Sequence, residues 1–209
     1  MTRVFGLVGA LSVALVSSAA AVPARRDAAL QVKRIGRLSL EFVGQFQNSP
    51  PGVTPATHTH YGYLSYIRGV RAFKAAPQSE STALFTFYAD ATTVRVLADG
   101  PLRVVTRVGK LTIYRDASGD ATFTKPETFA DGTRVLVGTF RQQVVLNTVS
   151  NSFSTFHQVT ITSTRPFTAG GGGRLQLGRA RQTFRITLTG QGTMPGPPSG
   201  YIGGYGVSG

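Results

Sequence analysis

Apolar and polar residues alternate with a two-residue period along most of this chain, and this alternation restricts its fold more than any other feature. Near the start of the pattern, Leu40 and Phe42 share one face while Ser39 and Glu41 share the other. The same alternation returns at 82–89, 102–108, 153–164 and 184–189. Because successive side chains of a strand point to opposite faces, the pattern is typical of half-buried β-strands.

Turn signals separate these segments at short intervals. Examples are 99–101 (DGP), 116–119 (DASG) and 131–132 (DG). No segment has the pattern of an α-helix of about ten residues, and no strand–helix–strand alternation occurs. We therefore predict an all-β, single-domain antiparallel β-barrel of about eight strands. A β-sandwich is the alternative, because both architectures bury alternate residues.

The amino terminus has the pattern of a secretory signal peptide. Arg3 supplies a positive charge, residues 4–16 form a short apolar core, and Ala19 and Ala21 form an A-x-A cleavage site. Ala24 offers a second site for cleavage. We predict a signal peptide at 1–24, a basic flexible lead-in at 25–37, the barrel at 38–190 and a disordered Gly/Pro-rich tail at 191–209.

Composition narrows the chemistry and the compartment. The 209 residues include no Cys, which excludes disulfides, thiolate metal sites and a Cys nucleophile. Lys and Arg number 22 against 9 Asp and Glu, giving a net charge of +13, and so few acids argue against a multi-carboxylate cation site. An exported domain without disulfides is typical of bacteria, so we expect a basic protein that is secreted or located in the periplasm or cell envelope.

The three histidines are the sharpest chemical feature. His58 and His60 are two residues apart, so on a strand their imidazoles share a face and resemble the His-x-His metal pair of cupin-type jelly rolls. That pattern continues with a carboxylate, whereas residues 61–64 here are YGYL. We therefore predict no metal and no cofactor. Whether His157, on a later strand, converges with the pair is left open.

Two further groups of side chains are candidates for binding. Inward aromatic residues favour a small apolar or amphipathic ligand. The predicted ligand-binding residues are Tyr63, Tyr66, Phe85 and His157. Four arginines in neighbouring segments could line one outer face and attract anions. These predicted anion-binding residues are Arg95, Arg103, Arg107 and Arg115.

The sequence contains no catalytic motif, and no Gly-x-Ser-x-Gly elbow is present. We therefore assign no catalytic residues and predict an exported, non-enzymatic barrel that binds a small apolar or amphipathic ligand. One alternative is an interaction module for anionic cell-envelope polymers, which uses the arginine face. A second is a cofactor-free barrel isomerase or cyclase. We expect no physiological nucleic-acid partner and no membrane span after signal removal, and the oligomeric state is undetermined.

A set of short phrases resembles a known group of proteins. They are 61–67 (YGYLSYI), 83–87 (ALFTF), 100–105 (GPLRVV), 112–116 (TIYRD) and 131–137 (DGTRVLV). The set resembles a group of uncharacterised exported bacterial β-proteins, over roughly residues 40–190. The resemblance implies an exported all-β protein and implies no particular activity.

Overall fold

A computed structural model of the chain describes residues 31–192 and 199–208. These residues form eleven β-strands and two single-turn 3-10 helices, Glu80–Thr82 and Pro126–Phe129. The strands are β1 (Lys33–Ile35), β2 (Ser39–Asn48), β3 (Thr57–Ile67), β4 (Phe85–Asp99), β5 (Leu102–Arg115), β6 (Thr133–Asn147), β7 (Ser152–Thr164), β8 (Phe167–Thr168), β9 (Arg174–Leu177), β10 (Thr183–Gly192) and β11 (Ser199–Val207). Within the described ranges, no helix is long and apolar enough to cross a bilayer.

Eight of the strands close into an antiparallel barrel. Strands β2 to β7 pair in chain order, β10 pairs with β7, and β11 lies between β10 and β2. Every strand of the barrel therefore has two hydrogen-bonded neighbours, which leaves no free edge. The predicted fold class is confirmed, and the chain forms a barrel rather than a sandwich.

The prediction of a disordered tail at 191–209 is wrong for most of that segment. Gln191 and Gly192 end β10, and β11 pairs with both β10 and β2 along its length. The glycines of β11 have a packing role: a Cβ on Gly200 would lie 2.0 Å from the Gln191 carbonyl oxygen and 2.7 Å from the Phe46 ring. Glycine here makes room for close strands and an inward aromatic ring. Residues 193–198 and 209 lie outside the described residues.

A second, three-stranded sheet closes one end of the barrel. Its order is β1-β9-β8, and β1 pairs with β9 in parallel. Phe167 of β8 packs edge-on against Phe85 at 5.1 Å between ring centroids, and Leu177 of β9 is fully buried in the same core. Lys33–Ile35 is therefore an ordered strand and not part of a flexible lead-in. Residues 25–30 and the predicted signal peptide at 1–24 lie outside the described residues.

The barrel interior is filled by the inward residues that the alternation predicts. Phe42, Phe46, Phe85 and Phe184 are buried, and Phe153 packs against the same core. Phe42 and Phe87 meet edge-to-face at 5.2 Å, which is a favourable aromatic geometry. Towards the end of the barrel opposite the small sheet, inward polar side chains are added to this apolar filling.

Candidate ligand-binding site

A cavity of about 320 Å³ lies inside the barrel at the end opposite the three-stranded sheet. Pro51 of the β2–β3 loop and Asn151 of the β6–β7 turn line its outer part. Its walls are mainly apolar and comprise Phe46, Val105, Val144, Leu146 and Phe153. Its polar lining comprises Asn48, His58, His60, Arg107 and Thr155.

Strand register brings the polar lining together. Asn48 of β2 pairs with His58 of β3, and Phe46 pairs with His60, so the alternation that points Phe46 inward also points these groups inward. On β5, Arg107 lies opposite Gln142 of β6, which in turn lies opposite His157 of β7. The inward polar residues of five strands (β2, β3, β5, β6 and β7) thus meet inside the barrel.

A hydrogen-bond chain links four of these residues and assigns the tautomers of the two histidines in it. Asn48 Oδ1 accepts a hydrogen bond from Arg107 Nη2 at 3.2 Å and contacts His58 Nδ1, while His58 Nε2 contacts His60 Nε2. Because an amide oxygen only accepts, His58 must donate from Nδ1. In a neutral ring the Nε2 of His58 is then an acceptor, so His60 donates from its own Nε2.

The histidines of the site are uncharged at neutral pH. Burial lowers the pKa of His58 and of His60 well below 6.5, and the charges of neighbouring histidines and of Arg107 lower both further. The pKa of His157 falls to about 4, mainly through burial; a hydrogen bond with the Ile186 backbone opposes the fall and the Arg107 charge adds to it. Neutral imidazoles can both donate and accept hydrogen bonds.

Arg107 is therefore the charged group of the cavity. Burial lowers its pKa to about 10, which leaves the guanidinium protonated at pH 7. Its hydrogen bonds within the described part of the chain go to neutral oxygens, Asn48 Oδ1 and Thr93 Oγ1, the latter at 3.4 Å. Among the described residues no carboxylate forms an ion pair with it, and none contributes to its pKa.

Gln142 is a second unusual group at this level. Its side chain is completely buried, and neither its amide oxygen nor its amide nitrogen has a hydrogen-bond partner among the described residues. Buried polar atoms are nearly always paired, because an unpaired amide loses the hydrogen bonds that it makes with water. Gln142 therefore supplies unused donors and an unused acceptor between Arg107 and His157.

The predicted ligand-binding residues do not converge. His157 lies beside the cavity, with its ring 5.8 Å from that of His60. Phe85 is buried at the opposite end, against the small sheet. Tyr63 lies outside the barrel, packed on Phe73 and Phe123, and the side chain of Tyr66 is exposed.

The predicted arginine stripe on one outer face does not form. Arg95 and Arg103 are exposed on the β4–β5 hairpin, whereas Arg107 points into the barrel and lines the cavity. Arg115, at the far end of β5, lies 5.4 Å over the ring of Phe85. Arg107 was expected on the outer face, yet its neighbour Val108, which is 44% exposed, is the residue that points outward. Polarity is inverted on this part of β5 because its inward face lines a polar site.

Sequence reasoning missed Asn48 and Gln142 and placed Arg107 on the wrong face. The sequence does indicate the orientation of Asn48. It lies two residues after the inward-facing Phe46 on the same strand, so the alternation places its side chain inside the barrel. Gln142 carries no such signal, since a polar residue in a strand is normally assigned to the solvent face.

Comparisons with protein-family models, with curated proteins and with solved structures found no match for this chain. The chemistry of the cavity follows from its own residues. Apolar walls, one desolvated cation and neutral hydrogen-bonding side chains suit a molecule that has an apolar body and a polar end.

Proposed function

We propose that this protein binds a small amphipathic molecule inside its barrel and acts outside the cytoplasm, after removal of residues 1–24. The observation that carries the proposal is the cavity of about 320 Å³ at the end of the barrel that the small sheet leaves uncovered. Enclosed cavities of about 300–1,000 Å³ with mainly apolar walls and a few polar groups are typical small-molecule sites.

Strands β6 and β7 show how apolar and polar residues are ordered along the barrel. Leu146 and Phe153 pair with each other next to the β6–β7 turn, whereas Gln142 and His157 pair four rungs deeper along the same two strands. On these two strands the apolar lining residues therefore lie nearer the mouth than the buried polar pair. A volume of about 320 Å³ equals that of roughly ten water molecules, so it suits a ligand of about ten to twelve heavy atoms.

Replacing Leu146 by Trp tests this proposal. The larger side chain should occupy the outer part of the cavity and weaken binding of 1-octanol, an amphipathic probe that fits this volume, at least tenfold, which is about 1.4 kcal/mol. Calorimetric titration measures the change. The matched control is Gln143→Trp, an exposed position on the same strand, which should bind as the unmodified protein does. Equal affinity in both variants would refute binding inside the barrel.

A second candidate, cofactor-free acid–base catalysis on the bound molecule, is favoured by the contact between His58 and His60 in the cavity wall. Neutral imidazoles with assigned tautomers are able to accept and return a proton. Solvent deuterium incorporated into a co-purified ligand by the native protein, and lost in His60→Gln, would support it. If the native protein incorporates no deuterium, the catalytic function is refuted and only the binding function is left.

Binding of anionic envelope polymers has less support. Of the four arginines expected on one outer face, Arg107 lies inside the barrel and Arg115 lies at the opposite end from Arg95 and Arg103. The remaining exposed pair is a small electrostatic patch on a generally basic protein.

A further inference from the structure

We propose that the ligand of the barrel is an amphipathic monocarboxylate, held in the cavity by an ion pair with Arg107. This inference rests on the proposed function and adds the chemical class of the ligand. It starts from a guanidinium that lines the cavity and has no acidic partner among the described residues.

A desolvated cation without a counter-charge is unfavourable unless something compensates it. Asn48 Oδ1 and Thr93 Oγ1 are neutral, so they accept hydrogen bonds without neutralising the guanidinium. The other titratable groups at this level, His58, His60 and His157, are either neutral or positive and never negative. The missing negative charge must therefore come with the ligand.

The geometry favours a carboxylate over a phosphate. A guanidinium has five N–H donors in a planar fork, and the two acceptors above leave several of them free for a bidentate pair with a carboxylate. One positive charge balances a monoanion, whereas a phosphate dianion would require a second cation. Each nearby histidine has a pKa that keeps it neutral at pH 7.

A second polar group lies next to Arg107. Gln142 pairs with Arg107 across β5 and β6, and both of its side-chain polar atoms are without a partner among the described residues. Gln142 does not itself line the cavity, so it marks this level of the barrel as polar and is not assigned a contact with the ligand. This observation is independent of the charge of Arg107.

The remaining lining defines the rest of the ligand. Phe46, Val144, Leu146 and Phe153 form the apolar part of the cavity wall. An unbranched chain of about eight to ten carbons fills this volume. Octanoate is therefore a suitable probe, and 1-octanol is its neutral counterpart with the same alkyl chain.

Calorimetric titration with both probes tests the inference on the full chain. We expect octanoate to bind at least tenfold more tightly than 1-octanol. Arg107→Met keeps an apolar stem and loses the charge. In this variant the affinity for octanoate should fall at least tenfold, while the affinity for 1-octanol should be unchanged or higher. Arg103→Met removes an exposed arginine that lies four rungs nearer the β4–β5 turn on the same strand and does not line the cavity, and this variant should keep the preference.

The outcomes separate the two proposals. If the unmodified protein binds neither probe, binding inside the barrel fails. If it binds both equally, or if Arg107→Met keeps the preference, the carboxylate inference fails and the cavity remains a general amphipathic site. Should Arg107→Met not fold, a carbon-13 NMR titration of carboxyl-labelled octanoate bound to the unmodified protein tests the inference by measuring the pKa of the bound carboxyl group. Pairing with a cation lowers the pKa of the bound carboxyl, and a pKa above that of the free acid would overturn the inference.

Discussion

Removal of residues 199–209 is expected to unfold the barrel. Strand β11 forms backbone ladders with β10 on one side and β2 on the other, so its loss would open the barrel and expose two edges at once. The truncated chain should show no cooperative unfolding transition in urea, monitored by circular dichroism. A truncated chain with the unfolding midpoint of the full protein would contradict the closure of the barrel by β11.

Point substitutions in β11 give a control that leaves the backbone intact. Ile202 points inward and is 4% exposed, whereas its neighbour Tyr201 points outward and is 64% exposed. Ile202→Ala should lower the free energy of unfolding by about 2–5 kcal/mol, and Tyr201→Ala should change it by less than about 1 kcal/mol. A disordered tail would make both substitutions neutral, so the difference between them measures the strand.

Mild acid is expected to destabilise the protein through its buried histidines. The folded pKa of His157 is about 4, below its ordinary value of 6.5, so the unfolded chain binds protons first as the pH falls. The stabilisation is complete above pH 6.5 and is lost progressively as the pH approaches 4. For His157 the loss between pH 7 and pH 5 is about 2 kcal/mol, and His58 and His60 act in the same direction.

Urea unfolding at pH 7 and pH 5 measures this effect as a shift of the midpoint. His157→Gln removes one titrating group and keeps a neutral polar side chain, so its stability should depend less on pH by about the same 2 kcal/mol. Because a whole domain has only about 5–15 kcal/mol of stability, a flat profile in the native protein would be easy to detect and would disprove buried, neutral histidines.

The alternation of apolar and polar residues predicted the fold class and most of the core. Leu40, Phe42 and Phe46 point inward as expected, because the period of a strand is fixed by backbone geometry. The same reasoning failed where glycine is abundant. β11 has little alternation, and its glycines are explained by close contact with the backbone of β10 and with the inward aromatic rings of β2, neither of which the local sequence indicates.

The site was harder to predict than the fold. The pattern indicates which residues share a face but not which face is inside, so the inward polar side chain of Arg107 was assigned to solvent. Such inversions are expected where a polar function lies inside a barrel. The convergence of His58, His60 and His157 depends on the strand register across β2 to β7, which the sequence does not specify.

The small sheet that packs on Phe85 has one more consequence for the proposed role. Because Phe167 and Leu177 fill one end, the barrel formed by residues 31–192 and 199–208 opens at the other end, and a molecule that enters there must leave the same way. The barrel is therefore a pocket and not a channel. Because the ligand enters and leaves through the same opening, whatever covers that opening controls how long the ligand stays bound.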